Sequence, residues 1–268
     1  LKSFRNAVPS EVYTADGVLI GRFSIQERRP VKYEQISTSV INAALATEDI
    51  RFYDHHGVDF RSLGRVLIKT ILLQDESSGG GSTMTQQLAK NIFARKDYWM
   101  LSMLMNKLRE PIIARRLESI YSKEEILTLY LNTVPFADNT YGIQSAAQRF
   151  FSTNAKDLSD DQAAVLIGML KATHNYNPRL FPKNALTRRN VVLAQLRKYN
   201  MLPSERVDSL QQLPLNLKLG VAPGAHGDGI APYFREYLKV ELQKWCDETK
   251  KPDGSEYNLY TDGLKIYT

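Results

Sequence analysis

The 268-residue chain reads as a mainly α-helical protein with a short β-hairpin near each end. Three observations predict this. Apolar residues recur at helical spacing from Tyr33 to about Leu213. Capping boxes stand in front of several of those runs. Near each terminus an alternating stretch turns about an Asp-Gly pair, a strong short-range hairpin signal. The implied division is 1–32 as an N-terminal hairpin and linker, 33–213 as the helical body, and 214–268 as a linker leading into a further region.

The first hairpin is VYTADGVLIGRF, Val12 to Phe23, around Asp16-Gly17. Ile36, Val40, Ile41, Ala44 and Leu45 then form one apolar stripe of a first helix. Thr83 and Gln86 fit a capping box, with Met84, Leu88 and Ile92 on one face of the helix that follows. NKLREPIIARRLE, Asn106 to Glu118, reads as a helix with Pro111 inside it. The proline ring clashes with the carbonyl of Lys107 and removes one bond, so a kink is expected beside Glu110. Ser122 with Glu125, and Ser159 with Gln162, open two more helices. Arg188 to Tyr199 is amphipathic and Pro203 to Leu213 is a shorter run. Gly220 to Pro232, rich in Gly, Pro and Ala, reads as a linker. A short helix over Tyr233 to Glu248 and a second hairpin around Asp262-Gly263 complete the chain.

Lys and Arg outnumber Asp and Glu by 35 to 29, a net charge of +6. That balance suits an anionic partner such as lipid head groups or a pyrophosphate. Nucleic acid is disfavoured, because no module interleaves aromatic and basic residues. The single Cys246 excludes an intramolecular disulfide and a cysteine metal cluster. No window approaches the roughly 20 apolar residues needed to span a bilayer. The chain starts and stops mid-phrase, so an excerpt without its membrane anchor is expected.

Three segments carry groups capable of chemistry. GGGSTMTQQLAKN, Gly79 to Asn91, places a Gly-rich turn before a helix N-terminus, where free N–H groups favour phosphate. It lacks the Gly-Lys-Ser/Thr of a nucleotide loop, and alone it reads rather as a turn that merely caps a helix. ATEDIRFYDHHGVDF, Ala46 to Phe60, gathers Glu48, Asp49, Asp54, His55, His56 and Asp59. Such carboxylates supply acid and base, or simply form a solvated helix end. Lys107 and Glu110 fall on one helical face at i, i+3, the spacing also of an ordinary surface ion pair.

Taken in order, these segments resemble the peptidoglycan glycosyltransferases of glycosyltransferase family 51, found in class A penicillin-binding proteins. ED-x-x-F-x-x-H-x-G-x-D stands at Glu48, Asp49, Phe52, His55, Gly57 and Asp59. GGST-x-TQQ spans Gly80 to Gln87, continued by Lys90 and Asn91. K-x-x-E is Lys107 and Glu110, and K-x-EIL-x-x-YLN runs from Lys123 to Asn132. YG-x-x-x-AA is Tyr141 to Ala147, and RR-x-x-VL is Arg188 to Leu193. Six motifs in order over roughly 150 residues are specific where any one is weak. Asn106 departs from the family's basic residue before the lysine, and Pro111 from its alanine after the glutamate.

The resemblance implies a lysozyme-like, two-lobed helical fold and lipid II as substrate, polymerised by inversion with release of polyprenyl pyrophosphate. It implies Glu48 as general base, with Lys107 and Glu110 at the leaving pyrophosphate. Asp49, Phe52, His55, Ser82, Thr83, Gln86, Gln87, Lys90, Asn91 and Arg95 are then substrate-side residues, together with Lys123, Tyr130, Asn132 and Arg188. No cofactor is required and no metal ligand is assigned, although a divalent Mg or Mn ion assisting at the pyrophosphate is compatible. Expected partners are the growing glycan strand, the membrane surface and other cell-wall synthesis proteins. The expected site of action is the outer face of a bacterial cytoplasmic membrane. The apolar runs Val66 to Leu73 and Tyr98 to Leu108 are the expected membrane contacts. A lysozyme-like hydrolase or lytic transglycosylase, and a non-catalytic cell-wall scaffold, are the competing readings. No serine is followed by lysine three places on, so a transpeptidase nucleophile of that type is absent from this chain.

Overall fold

A computed structural model describes residues 10–23, 27–65, 81–93, 102–220, 232–252 and 254–268. The N-terminal hairpin forms as the Asp-Gly turn predicts. Strand β1 (Ser10–Tyr13) runs antiparallel to β2 (Leu19–Phe23), and Gly17 takes the positive φ of 85° that closes the turn. The C-terminal end differs from a self-contained hairpin. Strand β5 (Lys265–Tyr267) joins β1 in parallel, giving the order β2-β1-β5. The turn residue Asp262 instead accepts the Asn258 N–H at 2.7 Å and closes a local loop. Burial explains the choice. Val12, Ile20, Phe23, Cys246 and Leu259 form a small core, with Ile266 and the helical residues Leu238 and Leu242 packed against it. Pairing with β1 puts Ile266 on that core, and Tyr13 stacks on Tyr267 at 5.3 Å. The two ends of the chain therefore share one sheet and one apolar cluster.

The helical body holds the larger core. Helix α1 (Thr38–Glu48) starts at Ser37, whose side chain accepts the Val40 N–H. Helices α2 (Met84–Ile92), α3 (Ser102–Glu118) and α4 (Lys123–Thr133) form one packed group. Helices α5 (Ile143–Phe151), α6 (Asp160–Met169), α7 (Pro182–Lys198) and α8 (Ser204–Gln212) complete the body, and α9 (Pro232–Glu248) serves the small sheet. The capping boxes at Thr83, Ser122 and Ser159 all form. Helix α6 is buried from Ala163 to Met169 and packs between α1 and α7, so its polar caps carry its only solvent-facing signals. Helix α3 is continuous across Pro111, with helical residues on both sides of the missing bond. Gly142, at φ 82°, introduces α5 where an added Cβ would lie 2.8 Å from the Asn132 carbonyl oxygen. Only glycine fits there. Short strands β3 (Glu27–Arg28) and β4 (Thr140–Tyr141) pair in parallel and tie the N-terminal segment to the start of α5.

One buried cation fixes the end of the body. Arg189, with no exposed surface, donates to the carbonyls of Gln211, Leu213 and Pro214 at the C-terminal end of α8. Those carbonyls are the unpaired acceptors of a helix end, where positive charge is favourable. Arg189→Leu keeps bulk and removes the donors, leaving buried acceptors unmet. The expected loss is about 2–4 kcal/mol of unfolding free energy, read as a lower urea midpoint with an unchanged slope.

Candidate active site

The core places the first acidic pair. Val40, Ala43, Ala44, Leu45 and Ala46 anchor α1, so its last residue Glu48 and the cap residue Asp49 emerge in fixed positions. The Asp49 carboxylate accepts the backbone N–H of Met84 at 3.0 Å, at the N-terminus of α2. It also meets His55 Nε2 at 3.0 and 3.1 Å, so that nitrogen carries a proton and donates. An anion at a helix N-terminus satisfies an orphan donor and the helix dipole together. Asp49 thus joins the first two motifs through the interior.

The Gly-rich segment works locally as a cap. Thr83 Oγ1 accepts the Gln86 N–H and donates to the Gly57 carbonyl at 2.7 Å, while Gln86 Oε1 accepts the Thr83 N–H at 2.9 Å. Gly57 itself has φ 83°, and a Cβ there would lie 2.8 Å from backbone atoms of Ala114 and Arg115 in α3. The second motif, the end of the first and α3 are therefore stitched together by backbone contacts.

A third residue, not singled out from sequence, completes the stitching. Glu118, at the end of α3, accepts from Thr85 Oγ1 at 2.6 Å and from Lys123 Nζ at 2.8 Å. Lys123 also donates to the His55 carbonyl at 2.6 Å and lies over the buried Phe52 ring, 4.4 Å from its centroid. His55 Nδ1 approaches Glu118 at 4.0 Å. Asp49, Phe52, His55, Thr83, Gln86 and Lys123 consequently face protein partners. Asn132 does too: its amide donates to the Val31 carbonyl at 2.8 Å and accepts the Val31 N–H at 3.0 Å. Glu118 escaped sequence reading because its partners come from two other helices and a loop.

What remains open to the surface falls into two poles. The first is Glu48, whose carboxylate accepts from Gln87 Nε2 at 2.9 Å; Gln87 Oε1 in turn accepts from the Tyr130 hydroxyl at 3.2 Å. Burial raises the Glu48 pKa; the Gln87 bond and the Arg188 guanidinium oppose the rise, and the Asp49 charge adds to it. Arg188 is held by the Gly168 carbonyl at 3.3 Å and by the face of Tyr176. The second pole is Lys107, whose ammonium donates to Ser82 Oγ at 2.8 Å and Glu110 Oε2 at 2.9 Å. The Lys107 side chain is 57% exposed, whereas that of Glu110 is 9% exposed. Beside it lies a depression lined by Lys90, Phe93, Asn106, Arg109, Glu110 and Ile113. Asn106, the departure from the basic family residue, accepts from Arg109 at 3.3 Å, so a guanidinium lies at this edge despite the change. Asn91 is exposed at the end of α2, and Arg95 lies outside the described residues. Among the described residues, no group of three or more His, Cys, Asp or Glu side chains is placed to hold a metal ion.

The raised pKa of Glu48 has a stability consequence. Above the ordinary glutamate value of 4.5, the folded state binds more protons at this site than the unfolded state. Stability therefore falls as pH rises through the folded pKa. Glu48→Gln removes the charge and keeps the shape. The variant is expected to melt at a higher temperature than the wild type at pH 7, with the advantage fading below pH 4.5 in a calorimetric series.

Comparison with known proteins accords with this geometry. The transglycosylase family model matches residues 16–197. Penicillin-binding protein 1A of Escherichia coli (strain K12) is 35% identical over 97% of this chain, and penicillin-binding protein 1F of Bacillus subtilis (strain 168) is 34% identical over 89%. The chain spans 30% and 32% of those proteins. The crystal structure of penicillin-binding protein 1A from Haemophilus influenzae superposes with a TM-score of 0.52 at 24% identity, covering 99% of this chain and 27% of that one. The chain belongs to the transglycosylase family, the peptidoglycan glycosyltransferases whose motifs its sequence carries in order.

Proposed function

We propose that this domain polymerises lipid II into β-1,4-linked glycan strands, releasing polyprenyl pyrophosphate with inversion at the donor sugar. The observation that carries the reading is the arrangement of two poles about α2. Gln87 on that helix bonds Glu48, while Ser82, just before its cap, bonds Lys107. In this reading the acceptor 4-hydroxyl gives its proton to Glu48 as its oxygen attacks the donor C1. The C1–oxygen bond to pyrophosphate breaks, and the electron pair leaves with the phosphate. Lys107, Lys90 and Arg109 are the cations suited to that growing negative charge, which preorganised groups stabilise best in a partly desolvated site. Glu110 orients Lys107 through the 2.9 Å bond. No resident cofactor is needed. A Mg or Mn ion accompanying the pyrophosphate would find Glu110 as the nearest carboxylate of the second pole.

The substrate's lipid requires a bilayer close to the site. Met105, Leu108 and Ile112 share one exposed face of α3, with Phe60 and Leu63 also exposed on the preceding segment. Met105 and Leu108 fall within one of the apolar runs read from the sequence; Val66 to Leu73 and Tyr98 to Leu101 lie outside the described residues. No helix among the described residues is long and apolar enough to cross a membrane. The proposed placement is shallow contact with the outer face of the bacterial cytoplasmic membrane, in company with other cell-wall synthesis proteins.

Purified lipid II tests the chemistry. Wild-type chain is expected to form glycan polymer, and Glu48→Gln to lose about 10²–10⁴-fold in rate while remaining folded. Undiminished elongation by that variant would overturn the reading. The membrane face is tested separately by vesicle flotation: Leu108→Asp with Ile112→Asp is expected to lower vesicle binding while polymerisation in detergent persists.

A further inference from the structure

We infer that Tyr130 is a positioning residue that locks the Gln87 amide with its NH₂ group toward Glu48. This rests on the proposed role of Glu48 and extends it to a residue buried in the helical core.

The geometry leaves one arrangement. An ionised carboxylate only accepts, so Gln87 must present Nε2 to Glu48 across the 2.9 Å contact. The other end of the same amide then offers only an acceptor, and the Tyr130 hydroxyl meets it at 3.2 Å. A glutamine amide is nearly symmetric in shape, and turning it over would set Oε1 against the carboxylate. The phenol makes that reversal costly, because its oxygen would then accept from the NH₂ group and its own buried O–H would lose the acceptor it has in Gln87 Oε1. Tyr130 is 1% exposed and packed among Ile126, Leu127 and Leu131 in the main core, so the hydroxyl is delivered by a rigid element. A phenylalanine would satisfy that packing; a hydroxyl there needs a partner. Burial, with the nearby Glu48 and Asp49 charges, pushes the phenol pKa well up, so it remains a donor over the working range.

Four groups bear on Glu48: Asp49 beside it, Gln87 from α2, Arg188 from α7 and Tyr130 from α4. Of these, Gln87 is the one whose sign depends on orientation. Losing the lock weakens the bond that opposes the effect of burial, so Glu48 holds its proton to higher pH.

The test uses the full chain with ¹³C-carboxyl-labelled glutamate, assigning Glu48 by its loss in Glu48→Gln, alongside pH–rate profiles with lipid II. Tyr130→Phe is expected to remain folded, to move the Glu48 titration to higher pH, and to lower kcat about two- to tenfold on the acid limb. The deficit should shrink on the alkaline side. Gln87→Met, which breaks the same chain from the other partner, should move the titration in the same direction. In the Gln87→Met background, Tyr130→Phe should add no further shift. An unmoved titration in folded Tyr130→Phe, or an equal shift with and without Gln87, would overturn the inference. A wild-type chain that makes no polymer while the titration shift appears would sink the proposed function and uphold the positioning.

Discussion

The bond between the Asp49 carboxylate and the Met84 N–H is the constraint on which the site depends. It closes the N-terminus of α2 with a charge supplied by the end of α1. Two helices that never pack along their lengths are thereby fixed end to end. Because Glu48 is the neighbour of Asp49 and Gln87 lies one turn into α2, the same bond sets the distance between the Glu48 carboxylate and the Gln87 amide. His55 holds the far side of the carboxylate, and Glu118 with Lys123 holds the loop that carries His55. Polar groups buried this way are strongly coupled, since leaving any one unmet carries its full desolvation cost.

The family motifs consequently divide by task. Asp49, Phe52, His55, Thr83, Gln86, Lys123 and Asn132 form the frame. Glu48, Gln87, Lys90, Lys107 and Arg188 keep exposed surface, and Glu110 lines the depression beside Lys107. The frame is largely buried and hydrogen-bonded, apart from His55 Nδ1, which has no hydrogen-bond partner among the described residues, while Lys107 is largely exposed. The proposed reaction would draw on that contrast, one pole taking up a proton and the other meeting a diphosphate. It also costs stability, because Glu48 is kept ionisable in a place that favours its neutral form.

Much of the fold was legible beforehand. Capping boxes at Thr83, Ser122 and Ser159 announced three helix starts, because the signal is local and needs only four residues. The Asp16-Gly17 turn announced the first hairpin for the same reason. The second turn misled. Asp262-Gly263 specifies a reversal, yet which strand Lys265–Tyr267 joins was decided by the free edge of β1 some 250 residues earlier. Pro111 marks a lost bond in sequence, but α3 continues through it because the packing of Ala114 and Leu117 holds the following turns in place.

The chain's own order of residues determined the helical class, the caps, the acidic pair at the end of α1 and the basic-acidic pair on α3. It also carried the family, since six spaced motifs are a one-dimensional pattern. Tertiary structure alone decided which motif residues face inward, that Glu118 joins three of them, and that Tyr130 reaches Glu48 through Gln87. The physical reason is the range of each interaction. Caps and stripes act over a few residues, whereas a buried charge finds its partner wherever the core brings one within hydrogen-bond distance.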